Sequence, residues 1–296
     1  MSEKQKADLD ALLRQAPLDL NSDAVTLRAA FEAIMQYVPI APDVRTARTE
    51  LGGVDALEVT IDGIEPENVI LYFHGGVYVI GSAQATVPLT SDLARRTGAK
   101  VITVDYRLAP ENPYPAAVED ARSAYEWLIS QGVDPSTIAM AGESAGGGLV
   151  AATLLALRDD GRPLPSSALL MSPYVDLTLS GSTIEDRAAV DVVLTPEGLR
   201  LRIPEYVGTA SASDPYISPV FGDLHGLPPM LIQVGTHEVL LSDAVRLAGK
   251  AAEADVEVTL EVVPGVPHVF QGYAGVLDEG DAALRRATAF LGSHFA

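Results

Sequence analysis

Cysteine is absent from all 296 residues. That excludes disulfides, thiolate metal sites and a cysteine nucleophile together. Basic residues are scarce: 20 Lys and Arg face 40 Asp and Glu, a formal net charge of −20. A chain this acidic has too few cations to track a phosphate backbone, so no nucleic-acid partner is expected, and anionic lipid is disfavoured for the same reason. No apolar run reaches the length of a membrane span, so no stable membrane insertion is expected. The first residues, Met1-Ser2-Glu3-Lys4-Gln5-Lys6-Ala7-Asp8, lack the apolar core of a signal peptide, and a cytoplasmic protein is the expectation. No His, Asp or Glu cluster has metal-ligand spacing, and no phosphate loop or dinucleotide fingerprint occurs. Neither a metal nor an organic cofactor is expected.

What remains is a globular composition. With 48% hydrophobic and 20% charged residues and no low-complexity segment or internal repeat, the chain can bury the core of one large domain, with or without an insertion. Residues 3–15 and 22–38 read as helices, with Leu9, Leu12, Leu13 and then Leu27, Ala30, Phe31, Ile34 at helical spacing. Ser2 and Gln5 suit a capping box. Two strands, Val44–Glu50 and Ala56–Ile61, alternate as an antiparallel pair would. From residue 68 the pattern becomes strand, helix, strand, helix. Strands are expected at 69–73, 101–104, 137–141, 168–171, 230–234 and 256–262. Helices are expected near 84–97, 116–131, 145–158, 242–254 and 279–292. Apolar strands alternating with amphipathic helices imply a mostly parallel sheet covered by helices on both faces. Residues 175–215 break the rhythm with Ser-, Gly- and Asp-rich connections and a helix near 196–206. With the amino-terminal helices this insertion could form a lid.

Gly142-Glu143-Ser144-Ala145-Gly146 stands between an expected buried strand and an Ala- and Leu-rich helix. A serine at such a sharp strand-to-helix turn presents its hydroxyl above the sheet, and the flanking glycines permit the strained backbone. The Ala145 N–H, at the helix start, points where a negative oxygen would form. In an open parallel sheet, ligands bind at the carboxyl ends of strands. His74-Gly75-Gly76 follows one such strand, and its glycines suit an oxyanion hole. Pro264-Gly265-Val266-Pro267-His268 follows another, which makes His268 the best placed general base among five histidines. Gly235-Thr236-His237-Glu238 follows a third, with Asp243 further on. A carboxylate there would hold the histidine's tautomer, and the order serine, acid, histidine is that of α/β-hydrolases.

These segments, with Asp105-Tyr106-Arg107-Leu108-Ala109-Pro110-Glu111, Tyr114-Pro115-Ala116-Ala117, Ser218-Pro219, Pro228-Pro229 and Pro267-His268-Val269-Phe270, span most of the chain. Together they resemble the hormone-sensitive-lipase-like bacterial carboxylesterases, within which the short-chain esterases that include monoterpene ε-lactone hydrolases look most similar. The resemblance implies an α/β-hydrolase fold with a helical cap: a core of residues 44–174 and 216–296, an amino-terminal cap segment 1–43 and a cap insertion 175–215. It implies Ser144 as nucleophile, His268 as base, and the N–H groups of Gly75, Gly76 and Ala145 as the oxyanion hole. The Asp105–Glu111 stretch would brace the sheet's carboxyl edge. Val77 replaces the family's usual third glycine, and with Tyr78 it would border a pocket for small apolar esters or lactones. His237 stands where the family's acid normally stands. Glu238 is therefore expected to complete the triad, with Asp243 at a helix start as the alternative. The implied activity is carboxylester hydrolysis through an acyl-enzyme. Rival readings on the same fold are a non-enzymatic binder and an amidase, acyltransferase or dehydratase. A homodimer is left open.

Overall fold

In the computed structural model, which describes residues 2–15, 18–36 and 38–296, five consecutive buried residues of Val69–Phe73 show how the layers arise. Val69, Leu71 and Phe73 join one apolar cluster, while Ile70 and Tyr72 join another. Successive side chains of a strand point to opposite faces, so burial of both sets demands helices on both sides.

The strands are β1 (Val44–Leu51), β2 (Val54–Ile61), β3 (Val69–Phe73), β4 (Lys100–Val104), β5 (Ile138–Glu143), β6 (Ser167–Met171), β7 (Met230–Gly235) and β8 (Val258–Val263). They form one sheet in the order β1-β2-β4-β3-β5-β6-β7-β8. The β1–β2 and β2–β4 pairs are antiparallel and all others parallel. The helices are α1 (Ser2–Gln15), α2 (Ala24–Met35), α3 (Val87–Thr97), α4 (Ala116–Ser130), α5 (Ala145–Asp159), α6 (Thr183–Asp186), α7 (Pro196–Val207), α8 (Leu241–Glu253) and α9 (Asp278–His294). Leu93 of α3 and Leu284, Ala287 and Leu291 of α9 fill one face. Ala121 of α4, Leu149 of α5 and Leu247 of α8 fill the other. This is the α/β-hydrolase fold.

Register decides which loops meet. Phe73 lies opposite Gly142, so the loops after β3 and β5 emerge side by side. Gly235 lies opposite Val263, which sets the loops after β7 and β8 together.

The amino-terminal helices form the cap, and they are anchored in the core. Leu20, Ala24 and Leu27 are buried in the main cluster. Arg28 of α2 donates to the carbonyls of Val79 (2.8 Å) and Ala109 (2.7 Å) and pairs with Glu111. The Asp105–Glu111 stretch thus holds the cap as well as the sheet edge, where Asp105 N–H bonds the Asp55 carbonyl.

Several local expectations are corrected. Ser2 and Gln5 form no capping box: Ser2 Oγ bonds Glu279 and Gln5 bonds Asp278, because α1 packs against the start of α9. The second helix runs from Ala24 to Met35, capped by Asp23, which accepts the Thr26 N–H at 3.0 Å. Of the expected span 22–38, Tyr37 lies outside the described residues. Residues 84–86 form a 3₁₀ turn ahead of α3. Strand β8 begins two residues late, since the Val256 N–H turns back to the Ala251 carbonyl beside Asp255 at φ 56°. The insertion carries α6 in addition to the expected α7.

Candidate active site

Ser144 sits between the last residue of β5 and the first of α5 at φ 54° and ψ −121°. A non-glycine residue held there costs about 1–3 kcal/mol, which the surroundings must offset. They do so by close approach. A Cβ on Gly146 would lie 1.9 Å from the Phe73 carbonyl oxygen, and one on Gly142 would lie 2.5 Å from the Gly146 backbone. Only glycine lets β3, β5 and α5 pack this tightly around the turn.

The loop after β3 lies against this elbow, but one of its expected donors is otherwise engaged. The Gly75 N–H donates to Glu143 Oε1 at 2.7 Å. Gly75 is therefore corrected: its amide is spent on a buried carboxylate and cannot also stabilise an oxyanion. The Gly76 and Val77 amides come next in the loop, with Gly76 at φ 118° and Val77 at φ 49°. No acceptor for either, or for the Ala145 amide, is found among the described residues. His74 itself is structural, stacked on Tyr106 with ring centroids 4.3 Å apart.

The carboxylate that reaches the histidine is Glu238. His268 Nδ1 lies 2.7 Å from Glu238 Oε2, with both residues buried. The other oxygen, Oε1, accepts the Ser172 hydroxyl at 2.8 Å and the Gly235 N–H. Ser172 Oγ in turn accepts the Val269 N–H at 3.1 Å, which ties the histidine loop to the acid loop. Burial alone would lower the imidazole pKa of His268. The bond and charge of Glu238 outweigh it and hold it above the ordinary 6.5. His237 does not take part in this pair; its N–H bonds the Val266 carbonyl and helps seat the histidine loop.

Asp243, the alternative acid, is engaged elsewhere. It is fully buried, and Oδ2 accepts the N–H groups of Val175 (3.0 Å) and Asp176 (2.9 Å), where the insertion leaves the sheet.

The chain is similar to known proteins over most of its length. The alpha/beta hydrolase fold family matches residues 70–272. An esterase of Acinetobacter venetianus is 36% identical over 96% of the chain and 94% of its own length. An acetyl-hydrolase of Streptomyces hygroscopicus is 46% identical over 75% of the chain and 74% of its own length. The crystal structure of an esterase from the bacterial hormone-sensitive lipase family, 38% identical, covers 99% of both chains with a TM-score of 0.95. The chain belongs to the bacterial hormone-sensitive-lipase family of α/β-hydrolase carboxylesterases.

Within this hormone-sensitive-lipase-family esterase, Val77 and Tyr78 are buried beside the elbow. Tyr78 stacks on Tyr206 of α7 with centroids 3.8 Å apart, so the insertion reaches over the loop after β3. A cavity of about 510 Å³ opens beside the site, between Lys6 and Arg14 of α1, Val190 and Val192 of the insertion, and His237 and Pro267. Its walls include the neighbours of Glu238 and His268 rather than Ser144 itself.

Sequence reasoning missed four polar residues of this esterase's site. Glu143 and Tyr72 meet beneath the elbow, where the Tyr72 hydroxyl donates to Glu143 Oε2. Ser172 bridges the acid and histidine loops. Asp191, in the insertion, accepts the Val239 N–H at 2.8 Å and adds its charge to the field at His268. Ser172 and Asp191 sit in segments without a recognisable motif, so no local signal marked them. Glu143 carried one: a carboxylate inside an apolar strand-to-helix turn needs partners. Among the described residues, no group of three or more His, Asp or Glu is placed to hold a metal, and no helix is long and apolar enough to cross a membrane.

Proposed function

We propose that the enzyme hydrolyses small carboxylic esters with Ser144 as nucleophile, His268 as general base and Glu238 as the acid that orients it. The buried His268–Glu238 pair beside the strained Ser144 turn carries this reading. With Nδ1 engaged by Glu238, Nε2 is the nitrogen that takes the Ser144 proton as Oγ attacks the carbonyl carbon. The tetrahedral oxyanion is stabilised by the amides of Gly76, Val77 and Ala145. Collapse expels the alcohol, protonated by His268, and leaves an acyl-enzyme. Water, deprotonated by the same imidazole, then attacks the acyl carbon and frees Ser144.

The relative that is an acetyl-hydrolase supports a short acyl group, and burial of Val77 and Tyr78 beneath the insertion supports a small apolar one. Small lactones fit the same chemistry. We read residues 1–43 and 175–215 as one lid over the core formed by 44–174 and 216–296. The edge strand β8, with Val262 exposed, is the surface offered to a second copy in a homodimer, and the cytoplasm is the proposed site of action. The test is turnover of p-nitrophenyl acetate and butyrate by the parent and Ser144→Ala, with stoichiometric labelling by an organophosphate. Labelling and turnover should both vanish in Ser144→Ala; turnover that persists in a clean preparation sinks the reading.

A further inference from the structure

We infer that Glu143, the residue before the nucleophile, is a positioning residue for the oxyanion hole: its carboxylate clamps the Gly75 amide beneath the elbow and so aims the two amides that follow. This rests on Ser144 being the nucleophile. Glu143 is buried at the end of β5, with each oxygen on its own donor: Oε1 on the Gly75 N–H and Oε2 on the Tyr72 hydroxyl from β3. The loop can lie this close only because residue 75 lacks a side chain. A Cβ there would be 3.0 Å from the Glu143 carbonyl oxygen and 3.1 Å from Ser144 Cβ. The next residue, Gly76 at φ 118°, turns the chain where a Cβ would lie 2.2 Å from the Ile80 carbonyl oxygen. The residue that precedes the nucleophile thus holds the donors of the hole, and Ser144, Gly76 and Val77 are set on one rigid unit.

The groups facing Glu143 are Tyr72, Tyr106 and His268. Tyr106, from the loop after β4, secures the same segment by donating to the His74 carbonyl at 2.7 Å. Burial pushes the Glu143 carboxyl up to about 7, against the lowering effect of Tyr72 and Gly75. The clamp needs an acceptor for Gly75 rather than a charge. A glutamine can supply that acceptor from Oε1 and offer Nε2 to the tyrosine oxygen, whereas a leucine of similar bulk can supply neither.

A hole acts on the transition state alone, so its misalignment lowers kcat and spares KM. Loss of one oxyanion donor costs about 10²–10³ in kcat elsewhere. Glu143→Leu should therefore lose about 10²-fold in kcat on p-nitrophenyl acetate, with KM within about threefold. Its affinity for an aryl trifluoromethyl ketone, whose Ser144 adduct places an oxyanion in the hole, should fall in parallel. Glu143→Gln should keep kcat within about threefold of the parent. Hydrogen exchange of the segment 74–80 should be slow in the parent and Gln proteins and fast in Leu. Leu and Gln both active, or both crippled, overturns the clamp, as does a Leu defect that falls on KM. If Leu does not fold, Gln decides: a crippled Gln protein overturns the clamp and an active one supports it. Ser144→Ala separates the failures. Turnover there sinks the nucleophile, while a dead Ser144→Ala beside a crippled Gln sinks the clamp alone.

Discussion

Two carboxylates five residues apart have opposite duties, and their bonds say what each substitution should do. Glu238 holds His268, so Glu238→Gln should lower kcat by about 10⁴-fold, the cost of losing a triad acid. The pH profile gives a second sign. His268 must be neutral to act as base, and Glu238 holds its pKa above 6.5. The acidic limb of kcat/KM in the parent should therefore turn over above pH 6.5 and should move down in Glu238→Gln. A limb that stays in place would show that Glu238 does not face the base. Asp243 instead braces Val175 and Asp176, and burial, opposed by those amides and aided by the nearby Asp176 charge, pushes its carboxyl up to about 8. The unfolded chain releases that proton near 3.8. Between these values the folded state binds more protons, so this group makes stability decline as pH rises from about 4 to about 8. Arg246, paired with Asp176, and the Tyr174 phenol complete its surroundings. Asp243→Asn should keep most activity and flatten that decline in melting temperature; an unchanged slope would count against a protonated Asp243.

At the scale of elements, the amino-terminal cap and the insertion are each fastened to the core. The insertion is tied to the acid-bearing segment through Asp191 to Val239, Thr183 to Ser242, and Asp243 to Val175 and Asp176. Helix α2 is fastened by Arg28 and by Leu27, which is 1% exposed in the main core. Leu27→Ala should accordingly cost about 2–5 kcal/mol, as truncation of a buried leucine does. Arg28→Ala should leave the sheet folded while freeing α2 from the Val79 and Ala109 carbonyls, and discrimination between acetate and butyrate esters should weaken. Denaturant melts and paired kinetics check both. A Leu27→Ala protein as stable as the parent would mean that α2 is a detachable flap.

For the whole molecule, the dominant property is charge. With −20 at neutral pH and a sequence pI near 4.5, self-repulsion opposes compactness, and ion pairs on the surface offset little of it. Salt shortens the reach of that repulsion, to about 10 Å at 0.1 M. The melting temperature at pH 7 should rise between low salt and about 0.5 M NaCl, and the gain should shrink near pH 4.5. A melting temperature that falls with salt would show that ion pairs, such as Arg28 with Glu111, outweigh the net charge. The sequence by itself determined what depends on near neighbours. The alternation from residue 68 onward, the Gly142–Gly146 turn, the order serine, carboxylate, histidine and the absence of cysteine could all be read along the chain, because period and turn chemistry are local. Only the tertiary structure decided where groups far apart in sequence end up. Glu238 rather than Asp243 meets His268, Gly75 gives its amide to Glu143, and Ser2 and Gln5 turn to α9. Each of these depends on strand register and helix packing, which set distances of a few ångströms between segments whose order along the chain leaves them free.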